Sequence, residues 1–99
     1  MKIIKEAIVS TSLDVNEEKF TTEGLKRAIR QAIIAELDAV NMYTKMADSV
    51  SDYQLKKLFL DIASEENIHI GEFQLALSKI APEELKKYSD GFDEANNIL

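Results

Sequence analysis

The chain has 99 residues, no cysteine, one histidine, 45% hydrophobic residues, and 18 acidic against 12 basic residues for a formal net charge of −6. Its length limits it to one small domain. The missing cysteine excludes disulfides, thiolate metal sites, iron–sulfur clusters and cysteine nucleophiles; the acidic balance argues against nucleic acid or an anionic membrane as partner and suits cations.

Residues 1–20 read as an N-terminal arm or a short helix. Ile3, Ile4, Ala7 and Ile8 form a helical stripe that Val9, Ser10, Thr11 and Ser12 dilute. The opening MKIIKEAIVSTSLDV has some look of a signal start, but Lys5 and Glu6 interrupt its apolar run, so it is read as mature protein. No segment approaches the ~20 apolar residues that span a bilayer.

The first clear helix is expected after Phe20, with Thr21 as its cap and Glu23 in the first turn, where the helix dipole favours an anion. Leu25, Ala28, Ile29, Ala32, Ile33, Leu37 and Val40 follow a helical period to about Met46 or Ala47, about 24 residues and roughly 36 Å. In the polar link DSVSDYQ, Ser51 followed by Gln54 has the form of a capping box and marks the second start. That helix presents Leu55, Leu58, Phe59, Ile62, Glu66, His69, Phe73, Ala76, Leu77 and Ile80, and ends at Ala81 and Pro82. A short helix, PEELKKY, begins with Pro82, and Asp90-Gly91 is expected to break the chain before FDEANNIL. The expected fold is all-α: a two-helix antiparallel hairpin over residues 21–80 and short C-terminal helical segments over 81–99. Two helices bury one seam, and these apolar faces are broader, so dimerisation into a four-helix bundle completes the core.

Three polar residues fall on the apolar faces. Glu66 and His69 lie between Ile62 and Phe73 in spacings of four, three and four, and Glu36 stands four after Ala32 and four before Val40. A carboxylate buried without compensation costs several kcal/mol or stays protonated. A metal ion explains all three, because E-x-x-H sets a carboxylate and an imidazole on one side of a helix where they converge on one cation. Di-iron carboxylate bundles use two single glutamates and two Glu-x-x-His motifs from four helices. This chain carries half of that set, and a twofold-related partner would supply the rest.

Each of these residues also has a plain structural role open to it. His69 can be a satisfied core or boundary histidine, and Glu36 can snorkel from the edge of the face or pair near Lys45 or with a partner chain. Tyr43 can be a core-boundary aromatic. Glu65 reads as solvated, Asp38, Asp61 and Glu72 as surface charges or entry and secondary metal sites, and Met42 with Met46 as packing.

AELDAVNMY (35–43) together with SEENIHIGEF (64–73) resembles the encapsulated ferritin family. These are ferritin-like two-helix proteins carried as cargo of encapsulin shells or fused to the shell protein. The likeness covers about residues 20–90. It implies a di-iron ferroxidase centre at a dimer interface, with dimers joined in an open ring of ten, in the cytoplasm inside an encapsulin nanocompartment. It places the metal ligands on Glu36, Glu66 and His69, the tyrosine near the centre on Tyr43, and an iron-collecting acid on Asp38. Met42 stands where family members often have tryptophan, and Ala35 where they have a second glutamate.

The activity implied is oxidation of Fe(II) to Fe(III) by dioxygen, for iron storage or detoxification, with Glu66 bridging two irons and Glu36 and His69 completing their shells. Hard carboxylate oxygens favour Fe(III); manganese or zinc is compatible with the same ligands. The alternatives are a non-catalytic helical adaptor and a rubrerythrin-like peroxidase, which needs an electron donor.

Overall fold

The structure, a computed structural model, describes residues 19–99, in which three helices follow one another: α1 (Thr22–Ser49), α2 (Tyr53–Ile80) and α3 (Pro82–Asn96). The arm or short helix expected over residues 1–20 lies, as far as residue 18, outside the described residues.

Thr21 caps α1 as its position predicts: the side-chain oxygen accepts from the Gly24 backbone N–H at 3.0 Å, and Glu23 sits in the first turn. The helix runs to Ser49, slightly beyond the expected end, and its 28 residues span about 42 Å. The capping box at Ser51 does not form. Asp52 caps α2 instead, accepting from the N–H groups of Gln54 at 2.8 Å and Leu55 at 3.0 Å. A carboxylate offers a charged acceptor to the positive end of the helix dipole, and Asp52 stands one residue closer to it.

The stop at Ala81 and Pro82 is where the sequence puts it. The Ala81 N–H closes α2 on the Leu77 carbonyl, and Pro82 opens α3. The break expected at Asp90-Gly91 is absent, because α3 continues through both to Asn96. A helical glycine costs about 1 kcal/mol, which lowers helix stability without ending the helix. The Lys86–Asp90 pair at 3.1 Å spans the turn just before it.

α1 and α2 form the antiparallel hairpin, and alanine dominates their seam. Ala28, Ala32, Ala35, Ala39 and Ala47 are buried on α1 with Tyr43, and Ala63 and Leu77 on α2. Residues equidistant from Ser51 lie level across the seam. Ala39 and Tyr43 pack with Ala63, flanked by Met46 and Ile62. Small side chains let the two backbones approach closely.

The larger apolar residues lie to one side. Leu37 and Leu58, expected on the buried face, are 49% and 51% exposed. Ile29, Ile33 and Val40 of α1 and Ile62 and Phe73 of α2 are half-buried beside them. The apolar stripes are therefore wider than the seam, and the excess forms one continuous open face.

α3 stands off from the hairpin. None of its residues is buried, and the molecule measures 46 × 45 × 16 Å, far wider than two helices side by side. Ion pairs tie its first turns to α1: Lys26 reaches Glu83 at 3.2 Å, and the Arg30 Nε donates to both Glu84 oxygens at 2.9 and 3.0 Å. The Tyr88 hydroxyl also donates to Glu84, at 2.7 Å. No helix among the described residues is long and apolar enough to cross a membrane.

Candidate metal centre

Glu36 and Glu66 are each fifteen residues from Ser51, so the hairpin sets them level, one from each helix. Both are nearly excluded from solvent, at 3% and 6% exposure. One helical turn along α2, His69 turns its Nδ1 toward them, 3.4 Å from Glu36 Oε2 and 3.9 Å from Glu66 Oε1. Each of the three offers a ligand atom, and these atoms lie within 4.8 Å of one another. Among the described residues this is the one such group of acidic and imidazole side chains.

The donor set fits a divalent cation. Two ligands held about 2.1 Å from one ion stand roughly 3 to 4 Å apart, which is the range of the two contacts to His69. Two carboxylates brought together in a buried space repel and lose hydration, and a cation between them offsets both costs. Carboxylate oxygens with one imidazole nitrogen suit iron, manganese or zinc.

The group is open on one side. Its two glutamates face inward, whereas the His69 side chain is 35% exposed and continues the stripe Leu58, Ile62, Phe73 along the open apolar face. Three ligands from one chain leave coordination positions to be filled from beyond that face.

Tyr43 is buried two turns from Glu36 on the same side of α1. Asp38 does not join the group: two residues past Glu36 it lies on the far, exposed side of the helix. Asp61, Glu65 and Glu72 are likewise exposed along α2. The helical period places Ala28 and Ala32 on the buried face; Ala35 and Ala39, which the period does not include, are buried beside them and complete the alanine seam on α1.

The rubrerythrin family model matches residues 15–96. The chain is 41% identical over 85 residues to the ferritin-like–encapsulin shell fusion protein of Pyrococcus furiosus, covering 85% of this chain and 25% of that one. It is 33% identical over 66 residues to the encapsulin nanocompartment cargo protein EncC of Myxococcus xanthus, covering 67% and 51%. The chain thus spans between a quarter and about half the length of these relatives. Its structure is similar to the crystal structure of the encapsulated ferritin domain from Pyrococcus furiosus, with a TM-score of 0.81 and 40% identity over 84% of this chain and 85% of that one.

Proposed function

Because the chain belongs to the rubrerythrin family and resembles encapsulated ferritin-like cargo proteins, we propose that it is a ferroxidase whose substrate site is completed by a second copy. The observation that carries this is the convergence of Glu36, Glu66 and His69 within 4.8 Å at the edge of an uncovered apolar face. A twofold partner on that face doubles the set to four carboxylates and two imidazoles, the complement of a di-iron carboxylate bundle.

Fe(II) is the substrate. Each ion gives up one electron, and dioxygen accepts the electrons. The protein's part is to hold anionic oxygen against an ion whose charge rises from +2 to +3, which favours the product state. Glu66, in the middle of its helix and with its carboxylate near His69, would bridge the two ions, while Glu36 and His69 would each complete the surroundings of one. Tyr43 hydrogen-bonds a ligand of the site or supplies an electron. Asp38, outside the centre, collects incoming Fe(II). Dimers joined into a larger ring, and an encapsulin shell in the cytoplasm as partner and destination for the ferric product, complete this function.

The test is anaerobic addition of Fe(II) to metal-free protein, admission of air, and ferric absorbance in the near ultraviolet, alongside native mass spectrometry. Wild type should oxidise iron fast and saturate at two irons per dimer; Glu66→Ala and His69→Ala should do neither. Oxidation no faster than buffer, with no bound iron, would leave a structural bundle in place of an enzyme.

A further inference from the structure

α3 carries an apolar stripe that it buries nowhere. Leu85, Tyr88 and Phe92 recur at spacings of three and four and are exposed by 38%, 45% and 75%. No residue of α3 is buried, and fifteen residues are marginal as an isolated helix in water. Charge sets its root: Glu83 reaches Lys26, and Glu84 reaches Arg30. Lys26 and Arg30 continue into Ile33 and Leu37 at spacings of four, three and four, so the four share one side of α1. α3 thus leaves the hairpin at the end of the open apolar face, with the single non-helical residue Ala81 between it and α2.

We propose that α3 has a second position within its own chain: released from Lys26 and Arg30, it closes over the open face as a strap and excludes a second copy. This rests on the two-chain metal site, since only there does the face need a partner. Turned about Ala81 to lie back along the hairpin, α3 meets the face in register. Phe92 is ten residues past Pro82, about 15 Å; the same distance ends at Ala32 on α1 and, counted back from Ile80, at Ile70 on α2. Phe92 then falls beside Ile33 and Phe73, and Leu85 and Tyr88 beside Ile80 and Ile29, all four half-buried residues of the hairpin. Asn96, the last residue of α3, comes level with Glu36 and Glu66, so the strap reaches the ligands and stops there.

The ion pairs hold the position seen in the structure. Glu83 is two residues from Leu85 and so on the opposite side of α3; turning the stripe onto α1 carries it away from Lys26. Glu84 is two residues along α3 and Arg30 eight along α1, which sets them about 9 Å apart in the closed alignment. The closed chain buries against itself the apolar surface that a second copy would otherwise cover, so closure and pairing compete for one face. The latch of Lys26 and Arg30 keeps that face free for pairing.

The chain has no cysteine, so an introduced pair reports the closed position alone. Full chains carrying Ile33→Cys and Phe92→Cys are diluted until monomeric and mildly oxidised. With Lys26→Gln and Arg30→Gln added, they should form the disulfide within one chain about tenfold faster than with the latch intact. Equal rates, or disulfides only between chains, overturn the proposal. This disulfide forms in single chains, so its failure is distinct from a failure of the two-chain metal site. The dissociation constant of the dimer gives the second measure, by analytical ultracentrifugation of chains without cysteine. Lys26→Gln with Arg30→Gln should raise it about tenfold. Adding Leu85→Ser, Tyr88→Ser and Phe92→Ser should return it to within about twofold of wild type, because a strap without its stripe cannot hold the face. A further weakening would mean that α3 aids pairing directly, and overturns the proposal.

Discussion

At the scale of single residues, the cluster of Glu36, Glu66 and His69 was legible because charge broke an apolar period. Glu36, Glu66 and His69 each occupy a position that the spacing of their neighbours assigns to the interior, and the structure brings all three together. What surrounds them was less legible. Hydrophobicity ranks Leu37 above Ala35, yet Ala35 is buried and Leu37 half exposed, because close approach of two helices selects small side chains over large ones. Asp38 is two residues from Glu36 in sequence and on the opposite side of the helix in space. Burial of two carboxylates side by side favours function at the expense of stability. Glu36→Gln keeps the shape and removes one buried charge. It should therefore stabilise the metal-free protein by about 1 kcal/mol, roughly 4–8 °C in melting temperature, while abolishing the rise in melting temperature that Fe(II) or Zn(II) gives the wild type. Thermal unfolding with and without metal checks this; an unchanged metal response would remove Glu36 from the centre.

Among the elements, helix ends were easier to place than helix continuity. Proline at the start of α3 and threonine before α1 act through fixed backbone or side-chain chemistry, so their positions follow from residue type. Asp52 overtook Ser51 because two adjacent acceptors compete for the same N–H groups, and the charged one wins. Gly91 weakens α3 without ending it. The ties from α3 to α1 join residues more than fifty apart, Arg30 to Glu84 and Lys26 to Glu83, and no local pattern reveals them. These ties are sensitive to acid. The Arg30 guanidinium, and then the Tyr88 hydroxyl, hold the Glu84 carboxyl below its ordinary 4.5. A carboxylate depressed on folding stabilises above the unfolded value and loses that contribution as pH falls through the lower, folded one. α3 should thus stay latched at neutral pH and loosen on acidification from about 4.5 downward. The Tyr88 ring resonances would follow it, and Arg30→Gln should give the loosened spectrum already at pH 7. A pH-independent Tyr88 would mean that α3 is held by something other than Glu84.

For the whole molecule, the central question is how many chains make one site. The hairpin binds its two helices through alanines and leaves Ile33, Leu37, Leu58 and Phe73, on the face that His69 also lines, at least partly exposed. Such a face in water is costly, at about 25 cal/mol for each Å² of apolar surface that a partner would cover, and the same partner would bring the missing ligands. Assembly and activity should therefore rise and fall together. Above the dissociation constant of the dimer, the rate of Fe(II) oxidation per chain should not depend on protein concentration; below it, the rate per chain should fall in proportion to concentration. Leu37→Lys places a charge on the open face and alters none of Glu36, Glu66 and His69. It should move this crossover to at least tenfold higher concentration while leaving the rate at saturation within about twofold of wild type, since 1.4 kcal/mol of lost association is a factor of ten. Stopped-flow oxidation over a dilution series, with the dimer fraction measured by analytical ultracentrifugation, separates the possibilities. A rate per chain that stays constant through dimer dissociation would place a complete site within one hairpin, and the open face would then serve packing alone.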